Sequence, residues 1–293
     1  MKIAFLGTGR MGTELALHLL KDHEVTVWNR TTERTAPLVE AGAHQALTPA
    51  DAVAGAEVVV TALFGPDTVR EVVTGPGLIP EGTPWIDTTT VSPADAEEFA
   101  ATIATYIACP VVGTLGPARA GKLGVYVGTP DEKLRALALD LVAPWADPDR
   151  LKSVGSAREA AVGKLLANLA LAVSAQGLRE ALILGEATGT SPEAVLDMLS
   201  STGLAFIAGM KGPFVRGERE TKGGDFTVDA IAKDARLMLA TVADASTDNA
   251  DAEQTAAPET LPAVQAALSS LEEQQEEGRG EHDFSAMLVH RRR

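Results

Sequence analysis

The chain has 293 residues, a formal net charge of −15, a pI near 4.8 and 45% apolar side chains, enough for one large core or two ordinary ones. So acidic a surface disfavours nucleic acid or an anionic membrane as partner, and no Lys/Arg block precedes the terminal Arg run. Cys109 is the single cysteine, which excludes an intrachain disulfide, a thiolate zinc cage and a CxxC redox pair, and points to a reducing compartment.

Strand-like residues begin at Lys2, leaving no room for the charged and apolar parts of a cleavable leader. No apolar run reaches about 18 residues, so the chain is expected to be soluble and cytoplasmic, without a membrane partner. In chain order, β-branched runs at KIAFLG, EVTVWN, EVVVTAL, PWIDTT, YIACPVV and LGVYVG read as strands. Helical or turn segments such as TELALHLLKD and PADAEEFAATIAT separate them, the pattern of a parallel sheet covered on both faces.

From Ser156 the texture changes: apolar residues recur at three- and four-residue spacing through Gly189 without a proline. One helix of that length would span roughly 50 Å and is expected to cross between domains. Helices are also expected at SPEAVLDMLSST, with Ser191 as N-cap and Pro192 at the first position, at DAIAKDARLMLATVADA, and at LPAVQAALSSLEEQQEEG, stopped by Gly278. The small, acidic stretch Ser246–Thr260 reads as a loop. The expected fold class is α/β: an N-terminal Rossmann parallel sheet over residues 1–155, joined by the long interdomain helix to an all-α domain over 156–293.

Gly7, Gly9 and Gly12 form GxGxxG between a strand and a helix, with Thr8, Arg10 and Met11 completing the loop. The first glycine permits the sharp turn, the second lets backbone approach a pyrophosphate, and the third allows close helix packing. About 20 residues on, NAD readers place an acid that accepts the ribose hydroxyl; here the position holds Asn29. Arg30, Thr31, Thr32 and Arg34 follow, either as a clamp for a 2′-phosphate or as surface side chains on a loop. The missing acid and the added bases together favour NADP (NADPH) over NAD.

In GKLLANLAL, Lys164 and Asn168 stand one helical turn apart on one face. A lysine in an apolar stretch is either a snorkelling edge residue or, with its pKa lowered by burial, a proton-transfer group. The histidines (His18, His23, His44, His282 and His290) lie scattered with no ligand spacing, and no metal is expected.

The ordered motifs GTGRMG, WNRT, IDTTTVSP, CPVVGTLGPARAGKL, GKLLANLAL, IAKDARLML and GRGEHDFSAM resemble the β-hydroxyacid dehydrogenase family, also called 3-hydroxyisobutyrate dehydrogenase-like. That family includes short semialdehyde reductases and has imine reductases as close relatives. The resemblance implies hydride exchange between a nicotinamide and a small carbonyl or hydroxy compound, in a homodimer or homotetramer held through the helical domain. It makes Lys164 the proton relay, Asn168 a holder of substrate polar groups, and Thr90 a hydroxyl beside the nicotinamide. It makes Leu63, Phe64 and Thr68 strand-end cofactor contacts, and Lys233 a lysine closing over the cofactor. Without the resemblance, Thr90 reads equally as a capping hydroxyl and Lys233 as a lysine paired with Asp229 or Asp234.

One departure stands out. Where the family has Pro-Val-Ser-Gly-Gly around the substrate carboxylate, this chain has Val112, Gly113 and Thr114, and Val112 has no side-chain donor. A bulkier or less anionic carbonyl substrate follows as an expectation. The alternatives are imine reduction, disfavoured by a protonated lysine at position 164, and a non-enzymatic dinucleotide sensor, which has no use for Lys164 beside Asn168.

Overall fold

A computed structural model describes residues 1–248 and 260–291. The chain divides into two compact units, Met1–Lys164 and Leu165–Arg293.

The first unit is a nine-stranded sheet with helices on both faces. Its strands are β1 (Lys2–Leu6), β2 (Glu24–Trp28), β3 (His44–Gln45), β4 (Val58–Thr61), β5 (Trp85–Asp87), β6 (Tyr106–Ala108), β7 (Val111–Val112), β8 (Leu123–Gly128) and β9 (Ala146–Val154). Between them run α1 (Arg10–Leu19), α2 (Ala36–Glu40), α3 (Pro49–Val53), α4 (Pro66–Val69), α5 (Pro93–Thr102), α6 (Leu115–Arg119) and α7 (Glu132–Val142). The order is β3-β2-β1-β4-β5-β6-β8-β7, with β9 on β8. All pairings from β3 to β6 are parallel, so the chain reverses direction of travel between β1 and β4, the place where such sheets open a crevice beyond their carboxyl ends.

Strand alternation feeds two cores. Ile3 and Phe5 of β1 pack with Leu15 and Leu19 of α1, while Ala4 and Leu6 face the opposite layer with Trp85 and Phe99. Thr48 and Ser92 each cap their helix with a reciprocal capping box, which fixes where α3 and α5 start.

The segment YIACPVV is not one strand but β6 and β7, broken at Cys109–Pro110 because proline has no amide to give a ladder. Neither β3 nor β9 was expected from the sequence. β9 reads ADPDRLKSV, polar and proline-containing, and it survives as an edge strand paired only to β8. Its register shifts across Pro148, from Leu123↔Ala146 to Val125↔Leu151.

The 31-residue helix α8 (Ala157–Ala187) begins in the first unit and continues into the second. An 18-residue window in it has a mean hydropathy of 1.3, enough by length and composition alone to cross a bilayer, although polar residues interrupt the apolar run. One face of the helix is core, with Ala160 and Ala161 in the first unit's core and Leu178 and Leu182 in the second's, while Leu166 and Leu184 are exposed.

The second unit continues with α9 (Pro192–Met198), α10 (Ala205–Val215), α11 (Val228–Asp248), α12 (Pro262–Glu276) and α13 (Ala286–Val289). Ser191 caps α9 through the amide of Ala194, as the sequence implies, and Gly278 follows α12 with φ +75°. Helix α11 runs to Asp248, three residues into the stretch read as a loop; residues 249–259 lie outside the described residues. Ile207, Ile231, Leu268, Leu271 and Phe284 form the core. Within it Lys211, 2% exposed, pairs with fully buried Asp283 at 2.7 Å and lies 3.8 Å from the Phe284 ring centroid. Ser285 donates to the same carboxylate from both its amide (2.9 Å) and its hydroxyl (2.5 Å), which ties α10 to the C-terminal segment.

Candidate active site

The glycine loop leaves β1 with Gly7 at φ +99°, its amide donating to Trp28 O at 2.8 Å. A Cβ on Gly7 would stand 2.4 Å from Ala62 O, and one on Gly12 would stand 2.0 Å from Gly7 O, so both positions require glycine for packing alone. Gly9 differs: a Cβ there would meet nothing within 4 Å. Gly9 is also the N-cap of α1 and carries no side-chain cap, so the first amides of a ten-residue helix face that space. The Thr8 hydroxyl, in a residue only 2% exposed, has no hydrogen-bond partner among the described residues. An open cradle, an orphan hydroxyl and a helix N-terminus fit a dinucleotide pyrophosphate.

Asn29 sits just past β2. Its Oδ1 accepts from the Thr8 amide at 3.0 Å and its Nδ2 donates to Thr31 O at 2.9 Å. Arg30, Thr31 and Arg34 are exposed beyond it, and neither arginine is in an ion pair among the described residues. At the next strand end, the Leu63 amide donates to Thr89 Oγ1 at 3.0 Å, and Phe64 is 56% exposed, an aromatic face presented at the carboxyl edge of the sheet. Thr68 and Thr90 are half-buried in the segments that follow β4 and β5.

Beneath these residues lies a group the sequence reading did not single out. Asp87, at the end of β5, is 1% exposed and accepts from Thr61 Oγ1 (2.7 Å), the Thr89 amide (3.0 Å) and Tyr106 OH (3.3 Å). Burial pushes its carboxyl above the usual range, against the pull of those donors. Burial and the neighbouring Asp87 push the Cys109 thiol up, so this lone cysteine is an inert core residue.

Lys164 closes the first unit. Its Nζ donates to Val111 O at 2.8 Å, which brings the lysine to the strand that leads into Val112, Gly113 and Thr114. Gly163 makes this possible: the Tyr126 ring lies where a Cβ would stand, 2.9 Å away, so β8 and α8 meet closely just before the lysine. Gly113 has φ +147° and would bring a Cβ to 2.6 Å from Leu123, while Thr114 begins α6 without a side-chain cap bond.

In the second unit Asn168 is buried and donates from Nδ2 to Asp234 Oδ2 at 2.5 Å. Lys233 Nζ lies 2.6 Å from Asp234 Oδ1, an ion pair without hydrogen-bond alignment. Asp234 is thus the centre of a three-residue set that the sequence reading entered only as a partner for Lys233; its signal was an acid inside an apolar helical stretch. Two of the scattered histidines also converge, with His282 Nδ1 at 2.9 Å and His290 Nε2 at 3.5 Å from Thr221 Oγ1.

Residues 2–143 match the family model described as the NAD binding domain of 6-phosphogluconate dehydrogenase. An uncharacterized oxidoreductase of Shewanella frigidimarina is 32% identical over 209 residues, 68% of this chain and 71% of its own. Glyoxylate/succinic semialdehyde reductase 1 of Arabidopsis thaliana is 27% identical over 98% of this chain and 97% of its own. The solved 3-hydroxyisobutyrate dehydrogenase of Mycobacterium tuberculosis, with L-serine, superposes with a TM-score of 0.80 at 25% identity, covering 100% of this chain and 99% of that one. The chain belongs to the β-hydroxyacid dehydrogenase family. Cytokine-like nuclear factor N-PAC of Xenopus tropicalis is also similar, 28% identical over 82% of this chain, and there the chain spans about half (46%) of the relative's length. Membership makes this a chain of the dehydrogenase and reductase class with a Rossmann-type dinucleotide fold.

Proposed function

We propose that the chain is an NADP-dependent oxidoreductase that exchanges hydride with the carbonyl or hydroxyl carbon of a small hydroxy-acid or semialdehyde-like substrate, with Lys164 as proton relay. The observation that carries this reading is the Lys164 ammonium, donating at 2.8 Å to Val111 O in the same unit as the dinucleotide loop. The bound nicotinamide supplies the hydride. Lys164 gives a proton to the carbonyl oxygen in reduction and takes it from the hydroxyl in oxidation. The Val111 carbonyl holds the amine in place. Gly113 and Thr114 offer an amide and a hydroxyl to the substrate's polar end, while Val112 adds an apolar wall. Within the second unit Asn168 and Lys233 are both held on Asp234, and the family resemblance gives them substrate- and cofactor-binding roles. Thr90, Leu63, Phe64 and Thr68 line the nicotinamide side, Gly9 and Thr8 the pyrophosphate, and Arg30 with Arg34 the 2′-phosphate. Within this reading the active form is a homodimer or homotetramer.

The missing donor at Val112 favours a second reading, imine reduction, since a C=N substrate needs no carboxylate clamp. Loss of NADPH absorbance is followed with succinic semialdehyde, with a cyclic imine and with NADH in place of NADPH. Consumption with the aldehyde and a preference for NADPH are expected. Turnover of the imine alone would replace the first reading by the second. Tight dinucleotide binding with no turnover on a broad carbonyl panel would make the chain a sensor.

A further inference from the structure

We infer that Asn29 is a positioning residue that clamps the glycine loop to the turn after β2, so that an acid at position 29 does not by itself turn the chain towards NAD. The inference rests on the dinucleotide reading of the glycine loop and deepens it.

The geometry is two-sided. Asn29 Oδ1 takes the Thr8 amide proton at 3.0 Å, and Nδ2 gives a proton to Thr31 O at 2.9 Å. With the Gly7 amide on Trp28 O at 2.8 Å, two bonds tie the pyrophosphate loop to the end of β2, and the Asn29 Nδ2 bond braces the turn beyond it. A primary amide can fill both roles because it carries an acceptor and donors on one planar group, whereas an ionised carboxylate has acceptors only. Aspartate at 29 could still accept from Thr8, but its second oxygen would face the Thr31 carbonyl, acceptor against acceptor. The turn it would loosen carries Arg30, Thr31 and Arg34, the exposed residues assigned to the adenosine ribose.

This reverses the usual expectation. In folds of this kind an acid at the end of the second strand accepts the ribose hydroxyls, so introducing one would be expected to trade NADP for NAD. Here the position already serves the chain's own backbone, and an acid disrupts the clamp before it can serve a ligand.

The test titrates NADPH and NADH separately onto the full chain, wild type and three variants: Asn29→Ala, Asn29→Asp, and Arg30→Ala combined with Arg34→Ala. Asn29→Ala is expected to weaken both dinucleotides by a similar factor, about tenfold, the equivalent of about 1.4 kcal/mol. Asn29→Asp is expected to bind NADH no better than wild type does. The double arginine variant is expected to lose NADPH affinity and keep NADH affinity. In turnover of succinic semialdehyde, Asn29→Ala should raise KM for NADPH while kcat at saturation holds within about twofold, because the adenosine end is displaced and the hydride end is not; general damage to the fold would lower kcat as well. An Asn29→Asp variant that gains NADH affinity would overturn the inference, as would an Asn29→Ala variant that leaves both affinities unchanged or loses NADPH alone. A wild-type chain that binds neither dinucleotide would overturn the underlying reading and the inference with it, a pattern distinct from the other three.

Discussion

Replacing Gly9 and Gly12 by alanine, one at a time, separates a glycine kept for a ligand from a glycine kept for packing. At Gly12 the new methyl would stand 2.0 Å from Gly7 O and 3.2 Å from the Ala62 Cβ. Ordinary contact needs about 3.5 Å, so the Gly7 carbonyl or the start of α1 would have to move by more than about 1 Å. Gly7 cannot yield easily, since its own Cβ position is already closed by Ala62 O at 2.4 Å and its amide is held by Trp28 O. Overpacking of this kind costs about 1–3 kcal/mol or more, which for a chain of this size lowers the melting temperature by roughly 2–5 °C or more. At Gly9 the methyl meets nothing within 4 Å, and φ −70°, ψ −172° is a conformation open to alanine. Its melting temperature without ligand should therefore stay within about 1.5 °C of wild type, less than the shift of about 1 kcal/mol. The methyl would occupy the space a pyrophosphate needs, and at least about tenfold, or about 1.4 kcal/mol, of NADPH affinity should go. Differential scanning fluorimetry with and without NADPH reads both quantities. At about 100 times Kd a ligand adds about 2.7 kcal/mol, and half of that gain should vanish in Gly9→Ala. Wild-type NADPH stabilisation in Gly9→Ala would refute the assignment of that space to the pyrophosphate. A Gly12→Ala variant with an unchanged melting temperature would refute the packing argument.

Lys164→Met should lower turnover of a carbonyl substrate by about 100- to 10,000-fold, the range of a lost general acid, with NADPH affinity retained; steady-state rates beside a fluorescence titration would show whether the two separate. Lys211→Met leaves Asp283 buried without its cation, and should cost about 3–5 kcal/mol in denaturant unfolding. The same pair sets an acid limb. Desolvation pushes the Asp283 carboxyl up, but Lys211 and the Ser285 donors hold its folded-state pKa below the usual value, so its contribution is complete above the unfolded carboxylate pKa and is lost as pH falls through the lower folded one. Unfolding free energies measured at about pH 5 and about pH 3 should converge in Asp283→Asn relative to wild type.

What the sequence made legible is what the backbone dictates locally. The strand, GxGxxG and helix at the N-terminus are written in β-branching, glycine spacing and apolar period, and the helix through Lys164 in its three-and-four spacing; all are found in place. β9 escaped because its stability comes from β8 and not from its own residues: an edge strand can be polar and hold Pro148 where a central one cannot. The site divides in the same way. Gly7 and Gly12 could be assigned from their spacing, the first to a turn and the third to helix packing; in the structure Gly7 turns at φ +99° and a Cβ on Gly12 would meet Gly7 O. The partners of polar side chains could not be, since Asn168 meets Asp234 across 66 residues and Lys211 meets Asp283 across 72. Asn29 shows the limit most clearly. Its sequence meaning was the acid it lacks, a property of the ligand; its meaning in the fold is the donor and acceptor it offers Thr31 and Thr8, a property of the loop. A polar residue at a recognition position thus has two claimants, the ligand and the backbone. Where a short amide satisfies two backbone groups at once, the backbone's claim comes first, because it must be met before any ligand arrives.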